Sequence, residues 1–169
     1  MPMQIVWQND VVGELTKQRI AVLNAELVLS CVGEVIVDAS WQLPIAQSSA
    51  DQSVFTKQVQ AYLLNPGGNS LEVRLLSQGT PYSQKIWQAL LEIPFGEVLS
   101  YSALAFKMGS GPRAVAQACK NNPYAGIIPC HRVVAKNGIG GFMGQSKGEM
   151  VALKHRLLAY ERGMFESAK

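Results

Sequence analysis

Cys130 and His131 stand side by side in the run Ile127-Ile128-Pro129-Cys130-His131-Arg132-Val133-Val134. A neighbouring imidazole or guanidinium draws a thiol toward the nucleophilic thiolate, whereas apolar surroundings raise its pKa and leave it inert. The pair therefore poses a choice between a small buried hydrophobe and a nucleophile with a base at hand. The other cysteines, Cys31 and Cys119, lie far off in the sequence, and His155 is the second of two histidines. Structural zinc takes four ligands at close paired spacing, so no metal site is expected, nor a disulfide framework or a Cys-x-x-Cys redox pair.

Composition permits an enzyme: 48% of the residues are apolar, ample for a packed core. The net charge of +3 is mild, but its placement is not even. Between Lys85 and Arg162 the cations Lys107, Arg113, Lys120, Arg132, Lys136, Lys147, Lys154, His155 and Arg156 gather with few acids, which suits a polyanionic partner. The N-terminal residues do not read as a leader, and no run reaches the roughly 20 apolar residues of a membrane span. The expectation is a cytoplasmic, nucleoid-associated protein with no membrane partner.

The elements that would position this chemistry fall into two domains, 1–79 and 80–169. In the first, Glu26–Val32 and Val35–Ala39 read as a hairpin around Gly33-Glu34. Val54, Phe55, Val59, Tyr62 and Leu63 recur at helical spacing, and Leu71, Val73 and Leu75 alternate with Glu72 and Arg74 as in a half-buried strand. In the second, Thr80-Pro81 is a helix start and Pro94-Phe95-Gly96 a stop. Ser100 caps a short helix, Tyr101 to Met108, that ends on Gly109, and a second helix follows from about Arg113 to Asn121.

Two short helices joined by a Gly-containing turn outline a helix-turn-helix. The second is slim, with Ala114, Ala116 and Ala118, and carries Arg113 near its start and Lys120 near its end, which favours nucleic-acid binding over mere helix propensity. Asn137-Gly138 marks a tight hairpin turn, and Gly138, Gly140, Gly141 and Gly144 make a close-fitting loop. A terminal helix with the stripe Met150, Leu153, Leu157 and Leu158 is expected to end near Gly163.

The run Ile128 to Val134 resembles the active-site signature of the O6-alkylguanine-DNA alkyltransferases, the methylated-DNA–protein-cysteine methyltransferases. Phe95-Gly96-Glu97-Val98-Leu99-Ser100-Tyr101, the step Arg113-Ala114-Val115, Asn122-Pro123 and Leu157-Leu158-Ala159-Tyr160-Glu161 match in order and spacing. The resemblance covers about Thr80 to Gly163. It implies an α/β (α+β) fold: a small ribonuclease H-like N-terminal sheet lobe with a helix, and a winged-helix-like C-terminal lobe carrying the site.

What the resemblance implies chemically is stoichiometric DNA repair, in which an alkylated guanine is flipped out of alkylated double-stranded DNA and dealkylated. Cys130 would accept the alkyl group, His131 act as base, Glu161 orient it, and Tyr101 donate to the leaving guanine. Arg113 would fill the gap left by the base, with Ala114, Tyr101, Lys120 and Arg132 also against DNA. Val133, Phe142 and Met143 would form the base pocket, Phe142 standing where many relatives have tyrosine, and Asn122 would tie the turn that presents Cys130. No cofactor is implied, and the protein is expected to be a monomer in free solution and to bind DNA with possible cooperativity. Two other readings compete: a damage sensor that binds without transfer, which Cys130 argues against, and a papain-type hydrolase, which the adjacency of Cys and His argues against.

Overall fold

A computed structural model describes residues 3–43 and 53–167. The chain divides into two compact units, residues 1–78 with 123–127 and residues 79–122 with 128–169. The first unit holds a sheet of five strands, β1 (Met3–Gln8), β2 (Leu15–Val22), β3 (Ala25–Val32), β4 (Val35–Gln42) and β5 (Leu71–Leu76), in the order β1-β5-β4-β3-β2. β2, β3 and β4 form an antiparallel meander through two-residue turns, and β5 inserts parallel between β1 and β4. The turn before β3 holds Leu23 and Asn24 at positive φ, as a hairpin of the mirror-image type requires.

Seven of eight β3 residues are buried, so its side chains pack on both faces of the sheet. Helix α1 (Val54–Leu64) is capped by the Ser53 hydroxyl, which accepts from Thr56 N. Its buried residues are Thr56 and Val59, whereas Val54, which the helical spacing put on the apolar stripe, is 74% exposed. The segment after Asn122 adds to this unit: Ala39 N donates to Pro123 O and Ala125 N to Ala39 O. Tyr124 is 1% exposed and its hydroxyl lies between Gln78 Nε2 and Leu76 O.

The second unit starts with α2 (Pro81–Leu90), where Thr80 accepts from Ser83 N and Pro81 opens the helix, as the sequence implied. Short strand β6 (Leu99–Ser100) leads into α3 (Tyr101–Met108), capped by Ser100 and closed by Gly109 in the left-handed conformation. α4 (Pro112–Lys120) follows after a three-residue turn, completing the helix-turn-helix. Trp87 of α2 donates from Nε1 to Ala118 O at 2.8 Å, satisfying a carbonyl that the end of α4 leaves without an intrahelical partner. A one-turn helix, Cys130–Arg132, leads into strand β7 (Val133–Val134), which pairs in parallel with β6, and α5 (Glu149–Ser167) closes the unit.

Two expectations are corrected here. The hairpin turn lies at Phe142–Gln145, where Phe142 and Gln145 exchange backbone hydrogen bonds and Met143 and Gly144 both take positive φ; Asn137-Gly138 lies in an ordinary turn. The strand before Asn137 pairs with β6, so no returning strand was available to make a hairpin there. The terminal helix also runs through Gly163 to Ser167 instead of stopping there. A lone glycine costs a helix only about 1 kcal/mol, which the flanking turns absorb.

Gly79 sits at the start of the second unit with φ +88°, and a Cβ there would lie 2.5 Å from the Trp87 ring. Because Trp87 is tied to α4, the ring has little room to withdraw. Gly79→Ala is expected to lose about 2–4 kcal/mol, combining positive-φ strain with overpacking. A urea-denaturation midpoint equal to that of the native protein would contradict this account.

Candidate active site

Strand pairing brings the chemistry together. β6 and β7 share only Leu99↔Val133 and Ser100↔Val134. That short pairing nonetheless sets Tyr101, the first residue of α3, beside the turn that carries Cys130. Asn122 Nδ2 donates to Ile128 O at 2.9 Å, and its side chain also hydrogen-bonds Cys130. The turn is thus pinned from the end of α4.

Cys130 is 7% exposed and opens on a cavity of about 300 Å³, lined also by Tyr101, Ala116 and Cys119, Lys120, and the loop Gly141–Ser146. Burial pushes the Cys130 thiol up, against the opposing pull of the Asn122 hydrogen bond, the Lys154 charge and a backbone N–H. The resting residue is therefore a thiol, and only a base that took its proton would make it a nucleophile. Burial, with Cys119 and Cys130 nearby, also pushes the Tyr101 hydroxyl up to about 12, so it remains a hydrogen-bond donor. Gly140 lets that ring pack closely, since a Cβ there would meet Tyr101 Cε2 at 3.1 Å.

His131 is 3% exposed, with Nε2 at 2.7 Å from Glu161 Oε2. The carboxylate accepts a hydrogen bond from Nε2–H, which leaves Nδ1 as the basic nitrogen, and Nδ1 is buried without a protein partner among the described residues. Burial alone would raise the Glu161 carboxyl; His131 and Arg132 overcome it and hold the group near 2. Arg132 donates from Nε to Glu161 Oε1 at 2.8 Å, from Nη2 to Oε2 at 3.3 Å and from Nη1 to Ile93 O at 2.9 Å.

The expected site residues thus separate into groups. Cys130, Tyr101, Phe142, Met143 and Lys120 line one cavity, whereas Val133 is fully buried and does not line it. His131 and Glu161 form a buried pair, and Asn122 holds the turn that carries Cys130. Arg113 and Ala114 lie on the exposed face of α4 with Gln117 and Lys120. Arg132 departs from expectation: placed among the DNA-facing cations, it spends its guanidinium on Glu161 and Ile93, with 14% of its side chain exposed. Lys154 departs further, being 0% exposed and bonded to Val133 O and Gly141 O.

Cys119 and Lys154 were missed as parts of the site. Lys154 had a signal: it falls three residues after Val151 and seven before Glu161, on the buried stripe of α5. Cys119 had none, since a cysteine near a helix end reads as packing. Among the described residues there is no group of three or more His, Cys, Asp or Glu that could hold a metal ion. Among them, too, no helix is long and apolar enough to cross a membrane.

A buried thiol, a histidine–carboxylate pair and a phenolic donor, set beside a helix-turn-helix, define a group-transfer site next to a nucleic-acid-binding element. Comparison with known proteins agrees. Residues 81–163 match the family described as "6-O-methylguanine DNA methyltransferase, DNA binding domain". The chain is 40% identical over 113 residues to a probable methylated-DNA–protein-cysteine methyltransferase of Acanthamoeba polyphaga mimivirus, covering 66% of this chain and 71% of the other. The corresponding protein of Saccharolobus solfataricus is 38% identical over 116 residues, 68% of this chain and 74% of the other. In three dimensions the chain is similar to Mycobacterium tuberculosis O6-methylguanine methyltransferase, at TM-score 0.69 and 29% identity over 89% of this chain and 94% of that one. The crystal structure of Mycobacterium tuberculosis OGT in complex with DNA gives TM-score 0.66 and 32% identity, over 87% and 92%. The chain belongs to the methylated-DNA–protein-cysteine methyltransferase family, and its two-lobe α/β fold is that of its structural relatives.

The Glu161 carboxyl stabilises the fold wherever it is ionised. Its value is depressed from 4.5 to about 2, so its contribution is complete above pH 4.5 and is lost as pH falls toward 2. The depression corresponds to on the order of 3 kcal/mol. Urea unfolding of the native protein and of Glu161→Gln from pH 7 to 2 should show a stability gap that narrows through that window. A gap that stays constant with pH would sink the assignment.

Proposed function

We propose that this protein repairs DNA by moving the alkyl group of O6-alkylguanine irreversibly to Cys130, each molecule acting once. The observation that carries the reading is the buried pair His131–Glu161 next to a thiol that shares one cavity with a phenolic donor. Family membership supplies the substrate class. Inside a stacked duplex the O6 substituent is closed to in-line attack, so the base is flipped out into the cavity, at a cost of a few kcal/mol.

His131 Nδ1, through a bridging water, takes the thiol proton, and Glu161 stabilises the imidazolium that forms. The sulfur attacks the alkyl carbon, the S–C bond forms as the C–O6 bond breaks, and the electron pair passes to the guanine. Tyr101 donates to the developing guanine anion and recovers its proton from the imidazolium through solvent. The thioether product offers no leaving group better than itself, and no residue here reverses the step.

Arg113 serves as the finger that occupies the gap in the stack, with Ala114 and Lys120 along the backbone. Its support is the exposed face of α4, where these residues lie together. Val133, Phe142 and Met143 hold the base, and Asn122 positions the acceptor turn. O4-alkylthymine presents an alkyl–oxygen bond on the same base edge and is a second substrate. No cofactor takes part. The protein acts as a cytoplasmic monomer that binds alkylated duplex DNA, cooperatively along the strand.

Incubation with a duplex containing O6-methylguanine should add one methyl mass to the peptide carrying Cys130. Cys130→Ser should retain duplex binding and remove no methyl group; continued demethylation by that variant would refute the mechanism. Tyr101→Phe should slow single-turnover transfer by about 10- to 100-fold with little change in duplex affinity, as expected for a donor used in the transition state. Arg113→Ala should weaken transfer from a base-paired lesion more than from an unpaired one, and equal losses would assign Arg113 to phosphate contact alone.

A further inference from the structure

Lys154 is the buried group that this transfer scheme leaves without a task. Its side chain is 0% exposed, and Nζ donates to Val133 O at 2.7 Å and to Gly141 O at 3.0 Å. The same nitrogen lies 5.7 Å from the centre of the Tyr101 ring. One side chain therefore touches the strand after the acceptor turn, the start of the pocket loop and the phenolic donor.

Taking an ammonium out of water is expensive, and an apolar side chain of similar length would fill this volume without that cost. Two carbonyls ask only for two N–H donors, which a neutral amide could supply in part. What a full charge adds is a field, and the titratable groups within it are Cys130 and Cys119, with the Tyr101 ring beside them. Burial brings Lys154 down to about 8, with the two thiols opposing, so at neutral pH it remains charged. Burial raises both thiols, Cys119 to about 12, and at Cys130 the Asn122 hydrogen bond, the Lys154 charge and a backbone N–H oppose it.

We propose that Lys154 is a positioning residue of alkyl transfer: clamped by the Val133 and Gly141 carbonyls, its ammonium fixes the pocket loop to the acceptor strand and supplies the positive field in which Cys130 becomes a thiolate. The inference rests on Cys130 being the acceptor. Lys154 gives up no proton in the step. It offsets the negative charge that appears on sulfur when His131 takes the proton, until that charge moves to the guanine. An opposite charge at close range lowers a pKa by about 1–3 units. Thiol nucleophilicity changes with about half the sensitivity of ionisation, so the net rate loss without the charge is about 3- to 30-fold below the thiol pKa.

The test uses the full chain as native protein, Lys154→Gln and Lys154→Arg. Three quantities are measured: single-turnover transfer from an O6-methylguanine duplex, duplex Kd, and the pH dependence of Cys130 alkylation by iodoacetamide, followed on the Cys130 peptide. Lys154→Gln should keep a Kd within about twofold of native, transfer about 3- to 30-fold more slowly, and raise the apparent Cys130 pKa by about one unit or more. Lys154→Arg should bring the pKa back toward native. A Cys130 pKa unchanged in Lys154→Gln overturns the proposal whatever the transfer rate, because a strut alone would leave it in place. Should Lys154→Gln not fold, Lys154→Met, which keeps a side chain of similar length and removes the charge, is carried through the same three measurements, and an unchanged Cys130 pKa in it overturns the proposal. Absence of methyl on Cys130 in the native protein would instead refute the acceptor assignment.

Discussion

An ionised carboxylate that is 5% exposed is a costly thing to keep inside a protein, and Glu161 stays charged because His131 and Arg132 face it. Removing either partner would leave the buried carboxylate short of a hydrogen-bond donor, so the three groups stand or fall together. The triad ties α5 to the one-turn helix that begins with Cys130. It also sets the imidazole tautomer. With Nε2 committed to the carboxylate, Nδ1 is the nitrogen left to receive a proton. Arg132, whose sequence position suggested DNA, is better understood as the member that makes this arrangement affordable.

The rest of the site is assembled from short pieces, each held by one or two specific bonds. Two residue pairs between β6 and β7 place Tyr101. A hydrogen bond from the Asn122 amide places the turn that carries Cys130, one from the Trp87 indole steadies α4, and one buried lysine joins the pocket loop to Val133. Few of these are large in net energy, since an intramolecular hydrogen bond contributes about 1 kcal/mol. Their weight lies in geometry, because group transfer between positioned atoms tolerates little misplacement.

Local rules read the sequence well where the physics is local. Thr80-Pro81, Ser100 and Gly109 mark helix ends because capping needs only a few neighbouring backbone groups. The β3–β4 hairpin was legible for the same reason. Asn137-Gly138 misled because a turn dipeptide makes a hairpin only if the chain returns beside itself, and β7 pairs with distant Leu99-Ser100 instead. β1 and β2 were not anticipated, since the pairing partners that define them lie elsewhere in the chain. The apolar stripe of α5 was legible, while the lysine on it was counted with the surface cations because charge is the strongest prior for exposure.

By itself the sequence singled out the candidate reacting groups: a cysteine beside a histidine, a tyrosine after a cap, an arginine at the start of a slim helix, and a glutamate near the end of α5. Residue types and short spacings carry that information because chemistry and capping depend on side-chain identity and near neighbours. Only the tertiary structure decided which groups share a cavity, which histidine nitrogen is free, and which cations face inward. Those depend on burial and on partners tens of residues away, and the cost of desolvating a charge turned Arg132 and Lys154 from surface cations into parts of the interior.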